Sequence, residues 1–475
     1  MGDLLRQIKS VFAVSLGKGL AQTRGLSPEL IARANAGDAS SQRLVGFAYM
    51  RGEGVRQNHT QAAYWYGKAA EQGDAIGQEM LGSLYGVGLG VPQDHAKGAA
   101  LMRMAAEQNQ AGAQVKLGMA YRDGLGVAKD YAQAFAWVRR AAKQGRPDAE
   151  CELGNLYWNG LGVPTDYAQA AEWFLRSAQQ GNTLAQFNLG IFHFKGLSGE
   201  NTRDLAKAAF WFRKAADQGI AKAQFYLGVL NEIGQGEPLD FAQAAAWFHK
   251  AAIQGDAEAQ LRLGHCFMQG QGLREDPVQA LIWFRKAAEQ GVAKAQFILG
   301  VACTKDYGGR PDFMQAAVWF HKAAEQGLAD AQEFLGELYA QGQGVRQDPT
   351  QAAAWFRKAA EQGRDDAQFN LGAAYAYGKG VPQNYEQAAL WYRKSADQGN
   401  PRGQFNLGAS YAQGQGVRLS YADAYFWLSL AAARLSGREQ RDAATTHDAV
   451  AEYLTPAALS KAQKRVARWL AEHPA

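Results

Sequence analysis

The stretch Gln351-Ala-Ala-Ala-Trp-Phe-Arg-Lys-Ala-Ala-Glu-Gln-Gly363 is one printing of a pattern that returns along most of the 475 residues. Its Trp355 has counterparts at Trp65, Trp137, Trp173, Trp211, Trp247, Trp283, Trp319, Trp391 and Trp427, with Leu101 in the copy that lacks the indole. Upstream of each lies a marker glycine, at Gly46, Gly82, Gly118, Gly154, Gly190, Gly228, Gly264, Gly300, Gly336, Gly372 and Gly408. Successive markers are 36 residues apart except Gly190 and Gly228, which are 38 apart, and the two extra residues fall in Lys195-Gly-Leu-Ser-Gly-Glu-Asn201. Self-similarity at this period predicts repeats that bury their apolar faces by stacking on one another.

Each copy reads as helix A, a Gly-containing turn, helix B and a second turn. In the tenth copy Ala367, Leu371 and Tyr375 recur at i, i+4 and i+8, which puts them on one helical face. A glycine inside helix A costs ~1 kcal/mol relative to alanine. Its return in eleven copies therefore predicts close approach of a neighbouring helix. Helix A ends in G-x-G, as in Gly342-Gln343-Gly344 and Gly378-Lys379-Gly380, which predicts reversal through left-handed backbone. Helix B opens on a good N-cap residue in every copy: Asn58, Asp94, Asp130, Asp166, Asp204, Asp240, Asp276, Asp312, Asp348, Asn384 and Ser420. Gln follows three positions later in eight of the eleven, which predicts a capping box, and Pro277 and Pro349 take the first helical position.

Repeats need ends. Leu454 and, after Pro456, Leu459, Ala462, Val466, Trp469 and Leu470 form a stripe that reads as a C-terminal cap. At the other end Leu4, Leu5, Ile8, Val11, Phe12 and Leu16 form a second stripe, read either as a cap or tail or as an interfacial or partner-binding helix. The boundaries drawn from this are 1–38 for the N-terminal segment, 39–436 for the repeats and 437–475 for the capping helices.

Composition narrows the function. With 47% hydrophobic and 20% charged residues the chain is globular, and 50 basic against 45 acidic residues leave +5 with no long basic run, so no nucleic-acid footprint is present. No apolar run reaches the length of a membrane span. Arg6 and Lys9 precede a short apolar run that Lys18 cuts off, a poor signal segment, so the cytoplasm is the expected compartment and the periplasm the alternative. Cys151, Cys266 and Cys303 show neither disulfide nor zinc spacing.

The combined motif A-Q-F-x-L-G-x-x-Y-x-x-G-x-G-V followed by D-Y-x-Q-A-A-x-W-F-R-K-A-A-E-Q-G resembles the Sel1-like repeat family, relatives of the tetratricopeptide repeats. The likeness covers about residues 39 to 436, and Tyr425-Phe426-Trp427-Leu428 through Leu454-Thr455-Pro456 resembles the closing helices of bacterial members. The resemblance implies an all-α fold, a right-handed α-solenoid superhelix of eleven two-helix repeats, acting as a scaffold or adaptor for a protein or peptide partner. A cysteine-rich branch of the family carries a disulfide in each repeat. This chain lacks that pattern.

No P-loop, H-E-x-x-H, G-x-S-x-G or paired Cys/His cluster is present, and the G-x-G turns have no preceding strand to make a nucleotide site. His193, His265, Cys266 and Cys303 sit in different copies or point apart on one helix, which argues against a shared metal. No catalytic residue, cofactor, metal or small-molecule substrate is therefore expected; the alternative to a scaffold is a membrane-proximal tether or periplasmic assembly factor using the N-terminal amphipathic segment, and a hydrolase with an unrecognised site comes last.

Where the repeat breaks its own pattern is more telling. Three residues after the marker stand Tyr49, Tyr85, Tyr121 and Tyr157, then His193, Asn231, Phe267 and Cys303, then Tyr339, Tyr375 and Tyr411. The loop insertion and the Asp306-Tyr-Gly-Gly-Arg-Pro311 turn fall in the same central block. At 100° per residue, positions −3, +1 and +4 from the marker lie opposite the core positions. In copies five to eight that face carries Phe187, Ile191, Phe194, Phe225, Val229, Leu261, His265, Met268, Phe297 and Val301, whereas copy nine has Glu333 and Glu337. If helix A lines an inner wall, as the resemblance implies, the apolar set is a partner-binding groove. The alternative is packing between repeats.

Overall fold

The computed structural model describes residues 26–197, 203–305 and 311–473. The N-terminal apolar stripe, most of the inserted loop and most of the turn at 306–311 lie outside these residues. Among the described residues every regular element is a helix. A short helix, Pro28–Asn35, capped by the Ser27 hydroxyl, packs on helix A of the first copy. The copies follow; in the ninth, helix A is Ala329–Gln341 and helix B is Pro349–Glu361. Helices Gly437–Ala451 and Pro456–Glu472 come last. The chain divides into two compact units: one runs to Leu230 and takes in Gly234–Pro238, and the other comprises Asn231–Ile233 and Leu239 onward.

In most copies the marker glycine is explained by one ring, and in copies two, three and eleven by Met102, Val138 and Leu428 at the same place. A Cβ added to Gly336 would stand 2.7 Å from Cδ1 of Phe356, and one added to Gly154 would stand 2.7 Å from Cδ1 of Phe174. That aromatic, eight residues after the N-cap of helix B, is the deepest residue of the repeat: Phe174, Phe212, Phe248, Phe284 and Phe320 are fully buried. Each such ring is worth about 1.5–3 kcal/mol of burial, which outweighs the glycine's helix cost. The preceding Trp is covered differently. Its face carries the cation three residues on, with Lys358 Nζ 3.9 Å from the Trp355 ring centroid and Lys250 Nζ 4.0 Å from that of Trp247.

The G-x-G turn uses its glycines for two purposes. Gly342 caps helix A in the left-handed region at φ 70°, returning its N–H to the Leu338 carbonyl. Gly344, at φ 68°, lies so close to the backbone of Phe313 and Met314, the start of the previous copy's helix B, that no side chain would fit. The turn is thus a contact between copies as well as a reversal.

The capping box forms by half. Asp348 Oδ1 accepts the Gln351 N–H at 3.0 Å, but the Asp348 N–H donates to the Tyr339 carbonyl of helix A rather than to a glutamine side chain. The same backbone bond joins Asn58 to Tyr49, Asp276 to Phe267 and Ser420 to Tyr411. It needs only a carbonyl, so the residue three after the marker is free to vary.

Glutamines join one copy to the next. Gln332 Nε2 donates to the Ala324 carbonyl of the preceding helix B at 3.1 Å, and its own Oε1 accepts from Gln362 Nε2 at 2.8 Å. The pattern repeats through Gln78 and Gln108, Gln260 and Gln290, and Gln368 and Gln398. The helix A amides Gln78, Gln260, Gln332 and Gln368 are buried and satisfied at both ends.

Candidate binding surface

The ten apolar residues of the central copies fall in both units. In the first unit Ile191 is buried, and Phe187, Phe194, Phe225 and Val229 are half-buried. The Phe187 ring lies 5.9 Å from Phe212 and 6.2 Å from Tyr226, and Phe194 meets Tyr226 at 5.2 Å. Phe225 stands edge-on to Tyr226 at 5.5 Å, and Lys222 Nζ lies 5.4 Å from its centroid. In the second unit Leu261 is buried, with His265, Met268, Phe297 and Val301 half-buried. Phe297 packs on Phe320 and Phe334 at 5.7 and 5.6 Å, and the His265 ring stands edge-on to Phe284 at 5.1 Å. All ten therefore take part in packing, and what eight of them offer outward is ring edges and side-chain ends rather than whole side chains.

Leu261 and His265 also line a shallow cavity of about 560 Å³, shared with Glu258, Arg262, Val292, Lys294 and Gln326. Burial, then the Arg262 and Lys294 cations, holds the His265 pKa below the usual imidazole range. His265 is consequently neutral at pH 7 and can donate or accept one hydrogen bond. His193 is likewise lowered, chiefly by burial.

On and beside that face, the A helices of copies two to five are joined by polar pairs. Lys116 Nζ reaches Glu79 Oε1 at 2.8 Å and Ser83 Oγ at 2.9 Å, while Gln110 Nε2 donates to Glu79 Oε2 at 2.9 Å. Arg122 pairs with buried Glu152, and Asn188 Nδ2 donates to Asn155 Oδ1 at 3.1 Å. Consecutive A helices are bridged there by charge and amide contacts, which leaves few free polar groups for a partner. Sequence reading missed these bridges, because the partners lie 30 to 37 residues apart and look unrelated until helix A of one copy is set beside the next.

The acidic flank of copy nine has its own geometry. Glu333 is buried and bonded to Arg364 Nε at 2.7 Å, and Arg364 also meets Asp330 at 2.9 Å. Glu337 is half-buried; burial, then the Glu333 and Asp366 charges, pushes its carboxyl up to about 6 against the opposing pull of Arg402. Nearby, a cavity of about 340 Å³ is lined by Phe369, Arg402, Phe405, Asn406, Leu435, Glu439 and Asp442.

Among the described residues no group of three or more His, Cys, Asp or Glu could hold a metal ion. The cysteines are free, and burial pushes Cys151 up to about 12 and Cys266 up to about 11, so both are thiols at neutral pH. No described helix is long and apolar enough to cross a membrane.

The model of the Sel1 repeat matches eleven times, tiling 39–74, 75–110, 111–145, 147–182, 183–220, 221–256, 257–292, 293–328, 329–363, 365–400 and 401–434. The chain belongs to the Sel1 repeat family. A solved protective antigen of uropathogenic Escherichia coli with an SLR fold is similar over 93% of this chain and 94% of its own, at 36% identity and a TM-score of 0.75. A Sel1 repeat protein from Oxalobacter formigenes shares 32% identity over 76% of this chain and 97% of its own, with a TM-score of 0.51. No curated protein matches. The fold expected from the repeat spacing, an all-α Sel1-type solenoid, is the one these neighbours share. Sel1 repeat proteins are in general protein-interaction scaffolds and typically not enzymes.

Proposed function

We propose that this Sel1 repeat protein is a non-enzymatic adaptor that holds a peptide or helical protein partner against the A-helix face of its central copies. The observation that carries the reading is the change of chemistry along that face. Copies two to four carry inter-helix ion pairs there, whereas copies five to eight, beside one Arg262–Glu232 pair at 3.1 Å, have half-buried aromatic edges, His265 and a shallow cavity beside it. Aromatic edges with a few polar groups give a partner apolar area and orientation together. The cavity beside His265 is shallow, which suits recognition better than hydrolysis.

The test pairs Phe225→Asn with Val229→Asn, two half-buried positions whose loss removes apolar edge without emptying the Phe212 core. Affinity capture from the native cell with mass spectrometry should identify a partner of the unsubstituted protein that the pair fails to retain, at unchanged helicity and melting temperature. Retention of that partner by a folded variant would remove the central face from the binding site.

A further inference from the structure

We propose that helices B of copies seven and eight, Pro277–Glu289 and Phe313–Glu325, form the surface through which this chain pairs with a second copy of itself about a two-fold axis. The inference stands apart from the central-face reading, which concerns the A helices and a different partner.

The repeat pattern singles out these two helices. Their second and sixth positions are Val278 and Ile282 in copy seven and Met314 and Val318 in copy eight. In every other copy the second position is Ala, Thr or Glu, so a large apolar pair occurs only in these two neighbours. Packing within the chain does not call for it. At 100° per residue Val278 and Ile282 lie opposite Ala280, Phe284 and Ala287, which are buried. Val278 and Met314 are each 69% exposed, Ile282 is 43% and Val318 48% exposed. The two helices lie side by side, since Trp319 of one packs on the cluster that holds Phe284 and Ala287 of the other. Their exposed apolar residues therefore make one patch of the kind that marks a protein contact.

The charges around the patch specify what covers it. Along both helices acid precedes the patch and base follows it: Glu275, Asp276 and Asp312 on the N-terminal side, Arg285, Lys286 and Lys322 on the C-terminal side. Lys286 and Lys322 are held over their own tryptophans, 4.0 and 4.4 Å from the Trp283 and Trp319 centroids, which fixes where the charge is presented. Further out the order reverses on both sides, with Arg274 before and Glu289 and Glu325 after. A fitting partner presents apolar residues at the centre and the opposite order of charge around them. A second copy turned about a two-fold axis through the patch does this. Val278 of one copy then faces Val318 of the other and Ile282 faces Met314, while Arg285 meets Asp312 and Lys322 meets Glu275 and Asp276. Every contact is made twice, as in any isologous interface.

Sedimentation velocity of the full chain over a range of concentrations tests the pairing. Expected is a reversible monomer–dimer equilibrium that Ile282→Glu with Val318→Glu weakens by ~100-fold or more, because the added carboxylates would be buried against apolar side chains. Both positions are exposed, so helicity and melting temperature of the monomer should not change. Chains carrying Ile282→Cys, mixed with chains carrying Met314→Cys and both with Cys303→Ser, should form disulfides between unlike chains in preference to like ones. A chain that stays monomeric, a dimer that the Glu pair leaves intact, or a preference for disulfides between like chains would overturn the proposal.

Discussion

Two side chains show how far a single residue can be read. Glu337 stands where the central copies have Ile191, Val229, His265 and Val301, and its pKa of about 6 arises from burial first and from Glu333 and Asp366 second. A carboxyl whose folded pKa exceeds its unfolded value of about 4.3 binds more protons folded than unfolded between those values. Its contribution to stability is therefore complete below the unfolded pKa and is lost as pH rises through 6. Solvent reaches part of the group, so the loss should be about 1 kcal/mol or less. Glu337→Gln is expected to melt above the unsubstituted protein at pH 7 and level with it at pH 4; equal melting temperatures at both would show that the carboxylate carries no repulsion. Its character as a break in an apolar run was legible from the sequence, but its pKa was not, because Asp366 and Arg402 come from the next two copies. The glutamines were legible only as conserved spacing within the chain. Gln332 and Gln362 are 30 residues apart, and nothing in either helix alone announces that one amide satisfies the other.

At the scale of the element, the helices and their ends follow closely from local rules. N-cap residues bond to the third N–H in every helix B, and left-handed glycines close helix A as the G-x-G spacing predicts. The capping box fails because a stronger competitor is present. The cap N–H faces a helix A carbonyl that would otherwise be an unpaired end, and a backbone bond satisfies both. Close helix approach at the marker glycine was predictable, but the residue it approaches was not named by the spacing: it is the fully buried ring that follows the Trp. Gly336→Ala tests this packing. Alanine suits a helix better by about 1 kcal/mol, but a methyl 2.7 Å from the Phe356 ring forces the ring or the helix to move, at about 1–3 kcal/mol. Net destabilisation in urea is expected, and pairing with Phe356→Leu should recover part of it by giving the methyl room. A more stable single variant would mean that the glycine answers to something other than this contact.

For the whole molecule, the described copies pack within themselves and on their immediate neighbours, so stability should behave as local terms plus interfaces between copies rather than as one core. The ends then matter out of proportion to their length. At the C-terminus, Phe426, Trp427 and Leu430 of the last helix B are buried, and Val466, Trp469 and Leu470 of helix Pro456–Glu472 pack against that cluster. Arg434 ties the same end together, its guanidinium 4.6 Å from the Trp469 centroid and bonded to the His473 carbonyl at 2.7 Å. Removing residues 456–475 would uncover apolar rings that no further copy covers. Hydrogen exchange followed by mass spectrometry should then show protection lost first in copy eleven, helices Pro401–Gln413 and Tyr421–Arg434, and progressively less in copies ten and nine, while copies one to three exchange as in the full chain. A uniform loss over all copies would mean that the chain unfolds as one cooperative body. Loss confined to copy eleven would mean that the interface between copies ten and eleven holds without its cap. The gradient is the expected result because the glutamine pairs, the G-x-G contacts and the buried rings each couple a copy only to its nearest neighbours, so a lost end can propagate but must weaken with each interface it crosses.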